Sequence, residues 1–304
     1  MLNDEIGLVV VNYNTENKTT KNIDAVIKNN EPFHIVIVDN ASDNNEYEQL
    51  ISYYSDNKYV DVLYAGGNAG YSRGNNIGIK KLLSYNQELR YICIMNPDAY
   101  CPCKDTFAHL ISKLETEPNV VWIAPLLVEN NCINTRQLGW NLPKYRDLIM
   151  HSDYTAIKLR FGVQTDIPYT PETNLLKYDA IQGSLFVIKA DIFKKIHFFD
   201  EKVFMYSEEN ILAARLKKMN PDYCAAISLE DYYIHEHDFR RKNLDDKRKN
   251  TSMIMNAGHY YVRHYMHVRG IRYAYLLFSE WKYLNIELPI AEILHKIKYR
   301  MFRE

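Results

Sequence analysis

Residues Tyr91–Tyr100 read YICIMNPDAY. From Tyr91 to Met95 the residues are apolar or aromatic without alternation, the pattern of a short strand buried on both faces. The chain then places Asn96, Pro97 and Asp98. Proline has no N–H to give a ladder, so Pro97 ends the strand and fixes Asp98 at its edge. A buried strand that stops on a rigid turn carrying a carboxylate is an unusual expense for a structure that needs only a turn.

Working outward, the first half repeats the same unit. Ile6–Val11, His34–Val38, Val60–Tyr64 and Val121–Ala124 are further short apolar runs. Between them lie helix-period segments: Ile23, Val26 and Ile27; Tyr47, Leu50, Ile51 and Tyr54; Phe107, Leu110, Ile111 and Leu114. Alternation of near-continuous apolar strands with helices predicts a mostly parallel α/β sheet with helices on both faces. In such sheets ligands bind beyond the carboxyl ends of the strands. The residues there are Asn12-Tyr13-Asn14, Asp39-Asn40-Ala41-Ser42, the stretch AGGNAGYSRGNNIG from Ala65, and Asn96-Pro97-Asp98. All four edges are small, polar or acidic, which suits a hydroxylated, phosphorylated ligand.

Residues 130–180 lose the alternation and contain Pro143, Pro168 and Pro171, so a long excursion with some helix is expected. Order returns with QGSLFVIKADIFKKI, a strand entering a helix, and with a loop entering a helix at FDEKVFMYSEENILAARLKKMN. There is no internal repeat and no low-complexity tract.

Hydrophobic content of 47% and charged content of 25% are ordinary for a globular chain of 304 residues. No apolar run reaches the ~18 residues that span a bilayer. The N-terminus enters a strand with no basic, signal-like region, and the five cysteines lack a disulfide framework, so a cytoplasmic, reducing setting is expected. Cys101-Pro-Cys103 reads as a loop rather than a soft-metal pair, because no second pair lies nearby.

The net charge of −1 hides an asymmetry. Residues 239–304 carry 14 Lys+Arg against 6 Asp+Glu, a net of +8, which leaves −9 for residues 1–238. The tail is rich in tyrosine, and no nucleic-acid motif accompanies its charge. A solvated helical face is its default reading, with peripheral contact to a membrane surface next and homodimerisation an equally open use. The expected division is therefore a catalytic domain over 1–238, with halves of about 1–125 and 126–238, and a basic aromatic helical extension over 239–304.

The motifs VVVNYN, IVIVDNASD, GNAGYSRGNNIGI, CIMNPDAY, GSLFVIKADIF, FDEKVFMYSEENIL and YIHEH occur in that order. Their combination, over about Ile6–Arg241, resembles family 2 glycosyltransferases of the GT-A fold, particularly the rhamnosyltransferase-like enzymes of bacterial surface polysaccharide assembly. That resemblance implies a Rossmann-like sheet flanked by helices and transfer of a sugar, with inversion, from a UDP- or dTDP-sugar. The acceptor implied is a hydroxyl of a saccharide, often lipid-linked at the inner membrane face, in capsule, O-antigen or cell-wall synthesis.

Residue roles follow from the same likeness. Asp98 falls where the family binds the divalent ion, Mn²⁺ or Mg²⁺, that bridges the donor diphosphate, and a hard oxygen ligand suits such an ion. Asn96 stands where the two-acid form has its first aspartate. His235 matches a histidine that contacts metal or diphosphate, with His237 as the alternative beside Arg240 and Arg241. Asp39 resembles the acid that accepts a uracil or thymine N–H, with Asn12 and Asn14 lining the same pocket and Tyr13 as its lid. Asn68, Tyr71, Arg73 and Asn75 are expected in a glycine-punctuated loop whose backbone approaches the nucleotide. Glu209 aligns with the catalytic base, with Glu208 as the alternative and Ser207 as the N-cap of their helix, while Ile211 stands where the family has a later acid. Gly183 and Ser184 match the floor of the acceptor site, and Arg160 lies in the excursion that would choose the acceptor.

Two rival readings share the architecture. A sugar-1-phosphate nucleotidyltransferase needs a glycine-rich basic loop after the first strand, where this chain has NYNTENK. A non-catalytic nucleotide-sugar binding protein would accommodate the departures at Asn96, Glu209 and Ile211. Processive synthases carry a Gln-x-x-Arg-Trp element, and QLGW at 137–140 lacks the arginine.

Overall fold

The structure is a computed structural model that describes residues 4–68, 70–129, 132–133, 138–151, 169–170, 174–236 and 244–301. Arg160, His237, Arg240 and Arg241 lie outside the described residues. The chain divides into two compact units: residues within 1–142, 167–204 and 211–237, and residues within 143–166, 205–210 and 238–304.

The first unit begins with β1 (Ile6–Asn12), α1 (Glu16–Asn29), β2 (His34–Asp39), α2 (Glu46–Tyr53), β3 (Val60–Tyr64), α3 (Tyr71–Tyr85), β4 (Tyr91–Met95), β5 (Ala99–Tyr100), α4 (Thr106–Thr116) and β6 (Val120–Glu129). Further along come β7 (Cys132–Ile133), β8 (Gly139–Trp140), α5 (Tyr145–His151), β9 (Tyr169–Thr170), β10 (Leu175–Tyr178), β11 (Ala180–Ile181), β12 (Leu185–Lys189), α6 (Ala190–Lys195), α7 (Glu208–Met219) and β13 (Cys224–His235). Among these, α5 groups with the second unit, as does the first turn of α7.

Among the described residues the main sheet has the strand order β3-β2-β1-β4-β12-β6-β13-β10-β9. β1 to β4 are mutually parallel, as the apolar runs require. β12 then enters antiparallel between β4 and β6, and β13 runs parallel to β6. The central strands are sealed: β4 is buried throughout, and Leu8, Val36, Ile94, Trp122 and Val187 are each 0% exposed. The helices supply the covering stripes, with Ile23 and Val26 from α1 and Leu110, Ile111 and Leu114 from α4 all buried.

Two sequence expectations change here. β6 does not stop at Ala124 but runs through Pro125 to Glu129. Proline is tolerated because the β6–β13 register shifts between Ser228 and Tyr232, and Pro125 lies opposite Ser228 at that irregularity. The glycine-rich stretch is not a loop throughout: from Tyr71 it is the helix α3. Gly74 and Gly78 face β1, where a Cβ would meet Val11 Cγ1 at 2.9 Å and Val9 Cγ1 at 2.4 Å. They let a helix lie close on a strand rather than bring backbone to a nucleotide. Gly66, Gly67 and Gly70 all have positive φ, and at Gly70, φ +89, an added Cβ would also lie 2.0 Å from the Phe204 carbonyl oxygen.

The second unit is helical: α8 (Leu244–His264), α9 (Gly270–Lys282), a π-helical turn at Tyr283–Glu287 and α10 (Leu288–Met301). Its core is small, built on Val262, Val268 and Leu276 with Tyr145, Leu148, Met266 and Tyr273 packed against them. Polar ties join its helices: Lys247 to Glu292 at 2.7 Å, His259 to Glu280, and Arg248 to the Leu284 carbonyl. No helix among the described residues is long and apolar enough to cross a membrane.

Candidate active site

Strand direction decides which residues share an edge. β1, β2 and β4 are parallel, so Asn12, Asp39 and Asn96-Pro97-Asp98 leave the sheet on one side. β12 is antiparallel to β4, so Gly183 and Ser184, which precede it, sit on that same side. β6 runs with β4, and β13 with β6, which brings His235 there as well. The topology thus gathers five separate segments of chain along one edge, where a doubly wound sheet places its ligand.

At the β1–β2 end Asn12 and Asp39 are register partners, and both are fully buried. Asn12 Nδ2 donates to Asp39 Oδ2 at 2.9 Å and to Glu46 Oε2 at 2.9 Å, and its Oδ1 accepts from Thr19 at 2.7 Å. Asp39 Oδ1 accepts the Ser42 backbone N–H at 3.0 Å. Glu46 Oε2 also takes the N–H groups of Thr15 and Glu16, so an internal carboxylate satisfies the N-terminus of α1. In front of this buried network Tyr13 and Asn14 are exposed, with Asn14 tied to Asp43 and Ser42. Asn68 is exposed too and accepts a bond from the Asn40 side chain at 3.1 Å.

Along α3 the expected nucleotide residues separate. Arg73 points to solvent, while Asn75 is buried and turns its amide back to the Tyr71 carbonyl at 3.0 Å. Tyr71 instead donates its hydroxyl to the Gly183 carbonyl at 2.8 Å. Ser184 is held against Tyr233, oxygen to oxygen at 2.6 Å, and its carbonyl accepts the Asn96 N–H at 2.7 Å. The Gly183-Ser184 turn is thereby fastened to α3, β4 and β13 together.

The acidic turn and His235 meet through a backbone pairing. β5 pairs antiparallel with the end of β13, Ala99 opposite His235, and the Glu236 N–H reaches the Asp98 carbonyl at 2.8 Å. His235 Nε2 then lies 3.1 Å from Asp98 Oδ1. The His235 side chain is 2% exposed and that of Asp98 22%, so the imidazole is seated and the carboxylate reaches solvent. Two residues that sequence reasoning missed hold this pair. Asn22 of α1 donates to the Pro97 carbonyl at 2.8 Å, and Glu129 Oε1 stands 3.8 Å from His235 Nδ1. Only the full length of β6 reveals Glu129; the polar Asn22 on the inner face of α1 was a signal in the sequence.

Does this donor set fit a divalent ion? Among the described residues no group of three or more His, Cys, Asp or Glu side chains is placed to hold a metal. Asp98 and His235 offer one oxygen and one nitrogen side by side, and Mg²⁺ or Mn²⁺ bound with a diphosphate takes its remaining ligands from phosphate and water. The pair fits that use and not a closed structural site.

Glu208 and Glu209 open α7, described with the second unit. Tyr206 and Ser207, just before them, both have left-handed backbone, φ +72 and +64. Ser207 therefore lacks the extended conformation of an ordinary N-cap, contrary to the sequence expectation. Consecutive non-glycine residues in this region carry strain of the kind found at working sites. Glu208 Oε2 is buried with no hydrogen-bond partner, and burial, then the neighbouring Glu209 charge, push the Glu208 carboxyl well above the usual carboxylate range. Ile211, where the family has a later acid, is buried at 1% exposure.

Comparison with known proteins gives the class to which this fold, with its polar and acidic edge, belongs. The profile described as Glycosyl transferase family 2 matches residues 8–165, and the chain belongs to that family. The low-salt glycan biosynthesis hexosyltransferase Agl10 of Haloferax volcanii is 29% identical over 218 residues, which cover 71% of this chain and 63% of the relative. The match thus spans less than two thirds of that relative's length. Among solved structures, GalNAc-T7 with UDP, GalNAc and Mn²⁺ superposes with a TM-score of 0.57 at 13% identity, covering 97% of this chain and 58% of the other. The mannosyltransferase PcManGT of Pyrobaculum calidifontis, in complex with GDP-Man and Mn²⁺, gives 0.56 at 14% identity, covering 95% and 72%. These likenesses establish the GT-A type fold.

Proposed function

We propose that the protein is an inverting glycosyltransferase that moves a hexosyl or related sugar from a UDP- or dTDP-sugar to a hydroxyl of a saccharide acceptor, lipid-linked in surface polysaccharide synthesis. The observation that carries this reading is the Asp98–His235 pair, 3.1 Å apart at the carboxyl edge of the sheet. The hexosyl donor draws further support from the name of the haloarchaeal relative.

In this mechanism Glu209 takes the proton of the acceptor hydroxyl. The oxygen so freed attacks the anomeric carbon on the face opposite the nucleotide. The bond from that carbon to the diphosphate oxygen breaks, and its electron pair leaves with the nucleoside diphosphate. A single displacement inverts the centre and needs no sugar–enzyme bond. Asp98 and His235 would hold a divalent ion, which would supply neutralising charge for the diphosphate. Asn12 and Asp39, locked together beneath Tyr13 and Asn14, shape the floor of the base pocket. The sealed Oε2 of Glu208 favours Glu209 over Glu208 as the base.

The test is a thermal-shift panel of nucleotides with and without Mn²⁺, on wild type and Asp98→Ala, followed by transfer assays on Glu209→Gln. The reading expects stabilisation by UDP or dTDP that needs Mn²⁺ and disappears in Asp98→Ala, and loss of transfer with retained binding in Glu209→Gln. Stabilisation by no nucleotide, or full transfer by Glu209→Gln, overturns it.

A further inference from the structure

Soluble helices turn charge outward and apolar residues inward. In the second unit α9 and α10 depart from this: α9 buries Leu276 but leaves most of its apolar residues exposed. The exposed residues of α9 are Gly270, Ile271, Arg272, Ala274, Tyr275, Leu277, Phe278 and Trp281, so Arg272 is the one charged side chain on that face. Ile271 is 87% exposed, Phe278 57% and Trp281 55%, with the Phe278 and Trp281 rings stacked 6.3 Å apart. The inward side of the same helix presents Leu276 and Ser279, both buried, and Glu280, which meets His259. α10 follows the same pattern: Ile290, Ile293 and Leu294 are exposed, while Glu292 is 9% exposed and engaged by Lys247.

We propose that the outward faces of α9 and α10 form a docking surface for an anionic lipid bilayer, entered to interfacial depth by Phe278, Trp281 and Ile293. The placement of polar groups carries the argument. Glu280 and Glu292 are satisfied inside the unit, so the outer face desolvates without stranding an acid. Tryptophan and tyrosine suit the headgroup region, since each has an apolar body and a polar tip. Charge then selects the occupant. Residues 239–304 as a whole carry a net of +8, a charge that draws this part of the chain to an anionic leaflet and opposes close approach of the same segment of a second copy. With no helix among the described residues fit to span a bilayer, the contact lies along the surface.

The proposal rests on residues that take no part in the chemistry at Asp98, so Asp98→Ala protein binds vesicles as wild type does, and the two readings fail separately. The experiment uses the full chain with vesicles of mixed phosphatidylglycerol and phosphatidylcholine, and of phosphatidylcholine alone, at low and high salt. Wild type is expected to co-sediment with the anionic vesicles at least about tenfold more strongly than with neutral ones, and to be released by salt. The double variant Phe278→Asp, Ile293→Asp, checked for folding by circular dichroism, loses at least about tenfold of that binding. A second readout needs no disruptive change: lipids brominated along the acyl chain quench tryptophan emission in wild type, and Trp281→Phe removes the quenched component. Absence of vesicle binding overturns the proposal. So does binding that the double variant retains in full, which marks a purely electrostatic patch. A solution dimer that Phe278→Asp dissociates, with no quenching by brominated lipid, assigns the face to a second copy and overturns it equally.

Discussion

His235 Nδ1 stands 3.8 Å from Glu129 Oε1, on the side of the ring away from Asp98. The imidazole therefore lies between two carboxylates, with Asp98 3.1 Å from Nε2. At 3.8 Å Glu129 is an electrostatic neighbour of the ring rather than a hydrogen-bonded partner; loss of a hydrogen-bonded carboxylate in that place typically weakens metal affinity about 10- to 100-fold, and the longer contact belongs at the low end. Glu129→Gln is accordingly expected to weaken Mn²⁺ binding about tenfold, measured by the free-ion electron paramagnetic resonance signal in a titration without substrate. An unchanged affinity would make Glu129 a structural acid at the end of β6.

Asn22 couples α1 to the acidic turn through a single bond to the Pro97 carbonyl, at 2.8 Å from a residue that is 0% exposed. Asn22→Ala leaves that carbonyl without this donor, and the expected loss is about 1–3 kcal/mol in urea unfolding. Because Asp98 is one residue further on, the nucleotide-dependent thermal shift should shrink as well. A variant that loses stability and keeps the full shift would show that the turn holds its shape without α1.

How much of this was legible in the sequence depends on what each feature needs. The strand at Tyr91–Met95 and the acid that follows it could be read locally, because an unbroken apolar run and a proline carry their meaning within a few residues. The pairing of Asn12 with Asp39 could not, since it depends on the β1–β2 register. Glu129 was hidden by Pro125, which reads as the end of a strand until the irregularity opposite it in β13 is known. The helix α3 was obscured by its glycines, whose purpose lies in Val9 and Val11 on another strand. Asp98 and His235 are far apart in sequence and meet through the pairing of Ala99 with His235; a motif can nominate both but cannot place them.

The reassignment of Gly78 from ligand approach to packing has a direct check. An alanine Cβ there would fall 2.4 Å from Val9 Cγ1, inside a strand that is fully buried at that point. Overpacking of this kind costs about 1–3 kcal/mol, so Gly78→Ala should lower the unfolding midpoint. Its Kd for UDP or dTDP, measured on folded protein below that midpoint, should stay within about twofold of wild type, because a change of 1.4 kcal/mol is needed for tenfold. A tenfold weaker Kd with unchanged stability would return Gly78 to the nucleotide site.

Glu208 gives a prediction in pH. Burial and the Glu209 charge raise its carboxyl pKa in the folded protein above the ordinary value, which is about 4.3 for glutamate in an unfolded chain. Between those two values the folded state holds a proton that the unfolded state has released, so wild-type stability declines as pH rises through that window. Glu208→Gln carries no such proton, and its Oε1 and Nε2 replace a carboxyl that is neutral at the acid end. The difference in unfolding midpoint, variant minus wild type, should therefore be smallest below the ordinary glutamate range and grow in favour of the variant toward neutral pH. It should level off once the folded carboxyl has ionised. Guanidinium unfolding at a series of pH values reads this directly. A difference that does not vary with pH would mean that Glu208 titrates as an ordinary surface acid, and the argument for Glu209 as the base would lose its support from the sealed neighbour.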